Sequence, residues 1–224
     1  MPVVNSPDEE KRLAAEAAAA LVESGMAVGL GTGSTVAHLL PAIARRGLTG
    51  IRCVATSVAT EEQARELGIP VEDFDRLQRL DIAIDGTDEV TPDGWLIKGG
   101  GGAHLREKVV AAAADRFVVI CDSSKPVDAL RGPVPLELFG FGAASTLARL
   151  GSDVELRAAP PSPDGGLIAD YRGPGLDDPA ALAARLEADP GMAAHGLFPP
   201  DLVSELFVGR DGNVTRTKFG VSRS

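Results

Sequence analysis

The sequence predicts an α/β protein: a Rossmann-like, mostly parallel sheet domain joined to a smaller α+β domain of βαββαβ, ferredoxin-like order. Three observations carry this. Short apolar runs alternate with helical patterns as far as Pro126, as expected for a parallel sheet covered on both faces. Turns rich in glycine or acid (GLGTGST, DGTDE, KGGGG) close several of those runs. Beyond Pro126 the pattern becomes strand, helix, two strands, helix, strand, which is a split βαβ unit.

Taken in order, Ser6-Pro7-Asp8-Glu9 forms a capping box with Pro at the first helical position, and Leu13, Ala17, Ala20 and Leu21 form an apolar stripe that ends at Gly25. Strands are expected at Met26–Gly31, Ile51–Ala55, Ile69–Glu72, Leu80–Asp85, Trp95–Lys98 and Phe117–Cys121. Helices are expected after GTGST through Arg46, after Thr56-Ser57 to near Gly68, and from Ala103 to Asp115. The smaller unit reads as strand Val134–Leu138, helix Phe141–Leu150, strands Val154–Arg157 and Leu167–Tyr171, helix Pro179–Ala188 and a strand near Ala193–Leu197. A hairpin turning at Asp211-Gly212-Asn213 ends the chain. The domains are therefore drawn as 1–129 with 201–224, and 130–200.

The chain has 224 residues, of which 44% are hydrophobic and 4% aromatic, so aliphatic side chains must fill the core. A net charge of −10 makes nucleic acid and anionic membrane poor partners, and any phosphate must be bound by a local site against the global field. Cys53 and Cys121 lie in apolar runs and read as buried thiols of a reducing compartment. No run is long enough to span a bilayer and no basic region precedes an apolar one at the N-terminus, so a cytoplasmic location is expected. His38, His104 and His195 have no metal-ligand spacing and there is no C-x-x-C, so no metal is expected.

Ligands of open α/β sheets bind at the carboxyl ends of the strands, and the chemically interesting turns fall there. Gly29-Leu30-Gly31-Thr32-Gly33-Ser34-Thr35 joins a strand to a helix, so backbone N–H groups and hydroxyls of Thr32, Gly33, Ser34 and Thr35 can hold an anion. The dinucleotide fingerprint fails because Ser34 stands where its third glycine belongs, and no acid ends the next strand. A single phosphate fits better than a dinucleotide. Asp85-Gly86-Thr87-Asp88 can aim two carboxylates at sugar hydroxyls. Lys98 precedes Gly99, Gly100, Gly101 and Gly102, whose entropic cost is easiest to understand if backbone must approach a ligand. Glu107 has no Lys or Arg three or four residues away and shares a small-residue face with Ala103, Ala111 and Ala114. Lys125 follows a strand at the same sheet edge and can bind phosphate, or be a solvated surface charge. Each segment alone also fits an ordinary turn or helix start.

In order along the chain, GLGTGSTVAHLL, ATSVAT, LDIAIDGTDEV, LIKGGGGAHLREK, CDSSKPVDAL, GLFPPD and FVGRDG resemble ribose-5-phosphate isomerase, type A. That resemblance implies a cofactor-free aldose–ketose isomerase of the pentose phosphate pathway that interconverts ribose 5-phosphate and ribulose 5-phosphate through a cis-enediolate. It implies a small lid domain, a sugar phosphate as ligand, and self-association as a homodimer or homotetramer. By motif, Glu107 is the base, Asp85 and Asp88 serve ring opening and hydroxyl proton transfers, and Lys98 stabilises charge. Thr32 to Thr35, Gly86, Thr87, the glycine loop and Lys125 hold the substrate. PPSPDGG replaces a DNGN-like turn and ELFGFGA a VEVIPMA-like stretch, both in the small domain. A sugar-phosphate sensor is the competing reading; it needs an attached DNA-reading element, for which the residues before the first helix leave no room, and has no use for three acids.

Overall fold

A computed structural model describes residues 6–220. Helix α1 (Pro7–Ala19) starts at Ser6, whose hydroxyl accepts the Glu9 N–H at 3.3 Å; the Glu9 carboxylate turns to Arg12 instead of completing the box. Its fully buried residues are Ala14, Ala15, Ala18 and Ala19, beside the expected stripe rather than on it, and Ala20 is exposed. Alanines let α1 lie close against its neighbours, whereas Leu13 and Leu21 stay half-buried at the rim. Next come β1 (Ala27–Leu30), α2 (Ser34–Ala44), β2 (Arg52–Ala55), α3 (Val58–Glu66), β3 (Ile82–Asp85), β4 (Glu89–Val90), β5 (Leu96–Ile97), α4 (His104–Ala113) and β6 (Phe117–Asp122). The chain continues through β7 (Val134–Leu138), α5 (Ala143–Leu150), β8 (Val154–Leu156), β9 (Leu167–Tyr171), α6 (Pro179–Glu187), β10 (Met192–His195), β11 (Leu197–Phe198), β12 (Glu205–Arg210) and β13 (Asn213–Lys218).

Two compact units result. The first takes the described parts of Met1–Thr87, Arg106–Lys125 and Pro200–Ser224. Its six-stranded sheet has the order β13-β12-β6-β3-β1-β2, with all pairs parallel except β12–β13. Every residue of β3 and β6 is buried, which is why these strands read as continuous apolar runs rather than alternating ones. Leu30, Leu39, Leu40, Ile43, Ile82, Ile84 and Ile120 dominate the core. Ile69–Glu72 contributes only a single bridge, Cys53 to Val71, rather than the expected strand. Cys53 and Cys121 are buried and free, and burial pushes both thiols up to about 12.

The second unit takes Asp88–Leu105 and Pro126–Pro199. Its four-stranded sheet, β10-β7-β9-β8, is antiparallel throughout and carries the βαββαβ order read from the sequence. A second antiparallel sheet, β11-β5-β4, explains why residues 88–105 group here, whereas the sequence division left them with the larger domain: β5 pairs with both β4 and β11. The expected strand near Ala193–Leu197 is two strands. Gly196 separates them, its N–H donating to Pro135 O at 2.7 Å, and β10 and β11 join different sheets. No helix among the described residues is long and apolar enough to cross a membrane.

The hairpin β12–β13 turns at Asp211 (φ 48°) and Gly212 (φ 78°), the left-handed pair that a tight two-residue hairpin needs. It is fastened at the other end by Glu205, 5% exposed, which accepts from Arg116 at 2.6 Å and Arg216 at 2.5 Å. Burial opposes ionisation of Glu205, but the hydrogen bonds from Arg216 and Arg116 outweigh it and hold the carboxyl below its ordinary range. A lowered carboxyl adds stability that is present above the unfolded-state value and lost as pH falls through the folded one. Glu205→Gln should therefore lower stability by about 2 kcal/mol at pH 7, less than a fully buried pair because both guanidiniums are more than a third exposed. Thermal melting at pH 7 and pH 3 should show that deficit shrinking in acid.

Candidate active site

In the first unit the loop Gly31–Gly33 joins β1 to α2. Gly31 is pressed against Asp85, so closely that a Cβ on residue 31 would overlap the Asp85 carboxylate. Asp85, 2% exposed, ends β3; its Oδ1 accepts the N–H of Thr32 at 3.0 Å and of Gly86 at 2.7 Å. The adjacent strand ends of β1 and β3 are thus tied through one carboxylate. Thr32 Oγ1 lies 2.7 Å from Thr56 Oγ1, while the Thr60 hydroxyl donates to Gly31 O at 2.9 Å and accepts from Ser57 Oγ at 3.0 Å. Thr32 is therefore engaged inside the protein through both its backbone N–H and its hydroxyl. Gly33 and Ser34 are exposed and Thr35 is buried at the start of α2. Sequence reasoning did not single out Thr56 and Thr60; the parallel pairing of Leu30 with Ala55 brings them behind the loop.

Glu107, 5% exposed, lies in the first turn of α4. The turns behind it are packed against the sheet. Ala113 and Ala114 at the end of α4 meet Leu80, just before β3. One turn earlier, Val110 packs on Gly29 and Ala111 is fully buried. Gly29 pairs with Ala83. A further turn back, towards the N-terminus of α4, stands Glu107. Thr87, 8% exposed, follows half-buried Gly86.

Lys125 is half-buried in the turn after β6, its N–H donating to Asp122 O at 3.3 Å. Glu10 of α1, also missed by sequence reasoning, holds this turn by accepting from Ser123 N–H at 2.9 Å and from Asp211 N–H at 3.3 Å. Hydrogen bonding from Ser123 keeps the Glu10 carboxyl below its ordinary range.

In the second unit, Lys98 directly follows β5, where the sequence expected it to end the strand, and its N–H donates to Gly196 O at 2.9 Å. Its side chain is buried and its ammonium stands 5.6 Å from the Phe198 ring centre, a cation–π geometry. Gly99–Gly102 forms a turn closed by Gly102 N–H to Gly99 O at 3.0 Å. Gly99 has φ +104°, and a Cβ there would lie 2.6 Å from His104 Nδ1, so only glycine fits. Gly100 N–H donates to Asp88 Oδ2 at 2.8 Å, which joins the exposed Asp88 to the loop. Asp88, Lys98 and the glycine loop thus belong to one local framework; Thr32 and Asp85, with Glu107 buried elsewhere in the same unit, belong to the other. The first offers a carboxylate, an ammonium and N–H groups, which suit negative oxygen; the second offers carboxylates, which suit proton transfer.

Because residue 31 has no space for a methyl group, Gly31→Ala should force Asp85 from its position. The expected loss is about 2 kcal/mol, read as a drop in melting temperature of about 4–8 °C.

Residues 52–213 match the family described as ribose 5-phosphate isomerase A (phosphoriboisomerase A). The ribose-5-phosphate isomerase A of Caulobacter vibrioides is 48% identical, the match covering 94% of this chain and 98% of that protein. The crystal structure of ribose 5-phosphate isomerase A from Neisseria gonorrhoeae superposes with a TM-score of 0.91 at 33% identity, covering 96% of this chain and 98% of that one. A D-ribose-5-phosphate isomerase structure in complex with phospho-erythronic acid gives a TM-score of 0.90 at 32% identity, covering 96% and 100%. With its mostly parallel sheet and its near full-length match to these proteins, the chain belongs to the ribose 5-phosphate isomerase A family.

Proposed function

We propose that this protein interconverts ribose 5-phosphate and ribulose 5-phosphate by proton transfer through a cis-enediolate, without a metal ion. The observation that carries the reading is the end-to-end match to ribose-5-phosphate isomerases, one of them holding phospho-erythronic acid. That ligand carries both a phosphate and a carboxylate. The carboxylate is planar and shares its charge between two oxygens, as an enediolate does.

The reaction opens the sugar ring, removes a proton from the carbon beside the carbonyl and returns it to the neighbouring carbon. Glu107 serves as the base that carries this proton. Its buried setting in the first turn of α4 supports that role, since a carboxylate shielded from water does not lose its proton to solvent between the two transfers. Asp85 and Asp88 handle the ring-opening and hydroxyl protons. Both are oriented by backbone N–H groups, Asp85 by Thr32 and Gly86, Asp88 by Gly100. Lys98 and N–H groups of the glycine loop stabilise the developing oxyanion, an effect of about 3–4 kcal/mol for one well-placed donor. Exposed Gly33 and Ser34 and the N–H of Thr35 at the start of α2, with Lys125, hold the phosphate, which fixes C1 and C2 for the base. Thr32 contributes by orienting Asp85 and the loop. The same family resemblance supports a cytoplasmic homo-oligomer, dimer or tetramer.

Two measurements test the reading. Glu107→Gln should lower kcat by about 10³-fold or more while substrate affinity changes little; near-normal turnover would remove Glu107 from the role. Purified protein treated with chelator should still convert ribose 5-phosphate to ribulose 5-phosphate at an undiminished rate, and conversion that stops with chelator would overturn the metal-free mechanism.

A further inference from the structure

We infer that Arg157 is a positioning residue for the glycine loop: it grips the carbonyls of Gly99 and Gly100 and thereby aims the Gly101 N–H at the substrate oxygen that gains charge. This rests on the proposed role of the loop as an oxyanion donor.

The geometry is explicit. Arg157 follows β8, and its N–H donates to Ile168 O of β9 at 2.9 Å. That register makes Asp170, two residues further along β9, its diagonal neighbour on the same face. Nε and Nη2 of Arg157 donate to Asp170 Oδ2 and Oδ1 at 2.9 and 2.7 Å, a two-pronged ion pair. Asp170 is 9% exposed, and Arg172 stands 4.0 Å from its Oδ2. With two nitrogens fixed on Asp170, the planar guanidinium presents Nη1 in one direction only. Nη1 donates to Gly99 O at 3.1 Å and to Gly100 O at 2.8 Å.

Two carbonyls held on one side determine where the following N–H groups point. In a trans peptide the C=O and the next N–H are antiparallel. With Gly99 O on Arg157, the Gly100 N–H faces away, and it is the group that donates to Asp88. With Gly100 O on Arg157, the Gly101 N–H also faces away from the guanidinium. Gly101 is exposed, and its N–H makes no hydrogen bond among the described residues. A run of four glycines has no side chains with which to hold itself, so an external clamp is the means by which such a flexible segment can present a donor at fixed direction. The antiparallel register of β8 and β9 supplies that clamp from residues distant in sequence.

The test compares Arg157→Met, Arg157→Lys and Asp170→Asn with wild type in kcat, KM and the affinities for phospho-erythronic acid and for inorganic phosphate. Loss of the aimed donor should lower kcat by about 10²-fold and weaken phospho-erythronic acid about tenfold, because its carboxylate needs the loop. Affinity for inorganic phosphate and KM should stay within about twofold. Lysine keeps the charge but not the fork and should not rescue, and Asp170→Asn should give the same pattern in milder form. Unchanged kcat and unchanged phospho-erythronic acid affinity would overturn the inference, as would parallel loss of affinity for inorganic phosphate, which signals general damage. Lys98→Met separates the two levels. If that variant keeps wild-type turnover, the oxyanion reading of the loop itself is wrong; if it is inactive while Arg157→Met is normal, only the role of Arg157 falls.

Discussion

Five strands of the larger unit, β2, β1, β3, β6 and β12, run in one direction, and that common direction organises the chemistry. It delivers Leu30, Ala55, Asp85 and Asp122 to the same edge of the sheet. The loops that leave this edge carry Gly31–Thr35, Thr56, Gly86–Thr87 and Lys125. An antiparallel sheet of the same composition would scatter them over two edges. The direction also gives tolerances their meaning: Gly31 lacks a side chain because the neighbouring strand ends in a carboxylate that takes its place.

A chain with a net charge of −10 can bind an anion only by local means. Much of what is offered here is backbone. N–H groups at the start of α2 and in the glycine turn contribute directed partial charges that need no counter-ion and hold their direction when water is excluded. The protein spends carboxylates freely as anchors for these segments. Asp85 holds Thr32, Asp88 holds Gly100, and Glu10 holds the turn that leads to Lys125. Acidic composition does not by itself oppose anion recognition where acids such as Asp85, Asp88 and Glu10 also orient backbone donors.

Much of the architecture was legible. Periodicity and turn residues located nearly every strand and helix, and the βαββαβ order of the second unit follows from the same signals. Failures share a cause. Ile69–Glu72 and Ala193–Leu197 are short apolar stretches whose sheet membership depends on pairings that local pattern does not encode. The buried face of α1 was misplaced because alanine, weakly hydrophobic by composition, is the residue that permits close approach. Among the candidate site residues, those in glycine-rich or acidic turns carry a local signal. Thr56, Thr60, Glu10 and Arg157 do not, because each acts by supporting another segment across the fold.

The two thiols illustrate how packing sets chemical temperament. Cys53 and Cys121 sit within parallel strands, walled in by aliphatic neighbours, and neither ionises near neutrality. An oxidant or alkylating reagent reaches them only when strands part, so the rate of such damage reports how often the sheet breathes rather than how oxidising the surroundings are. Resistance to oxidative stress, in this fold, is a by-product of mechanical cohesion.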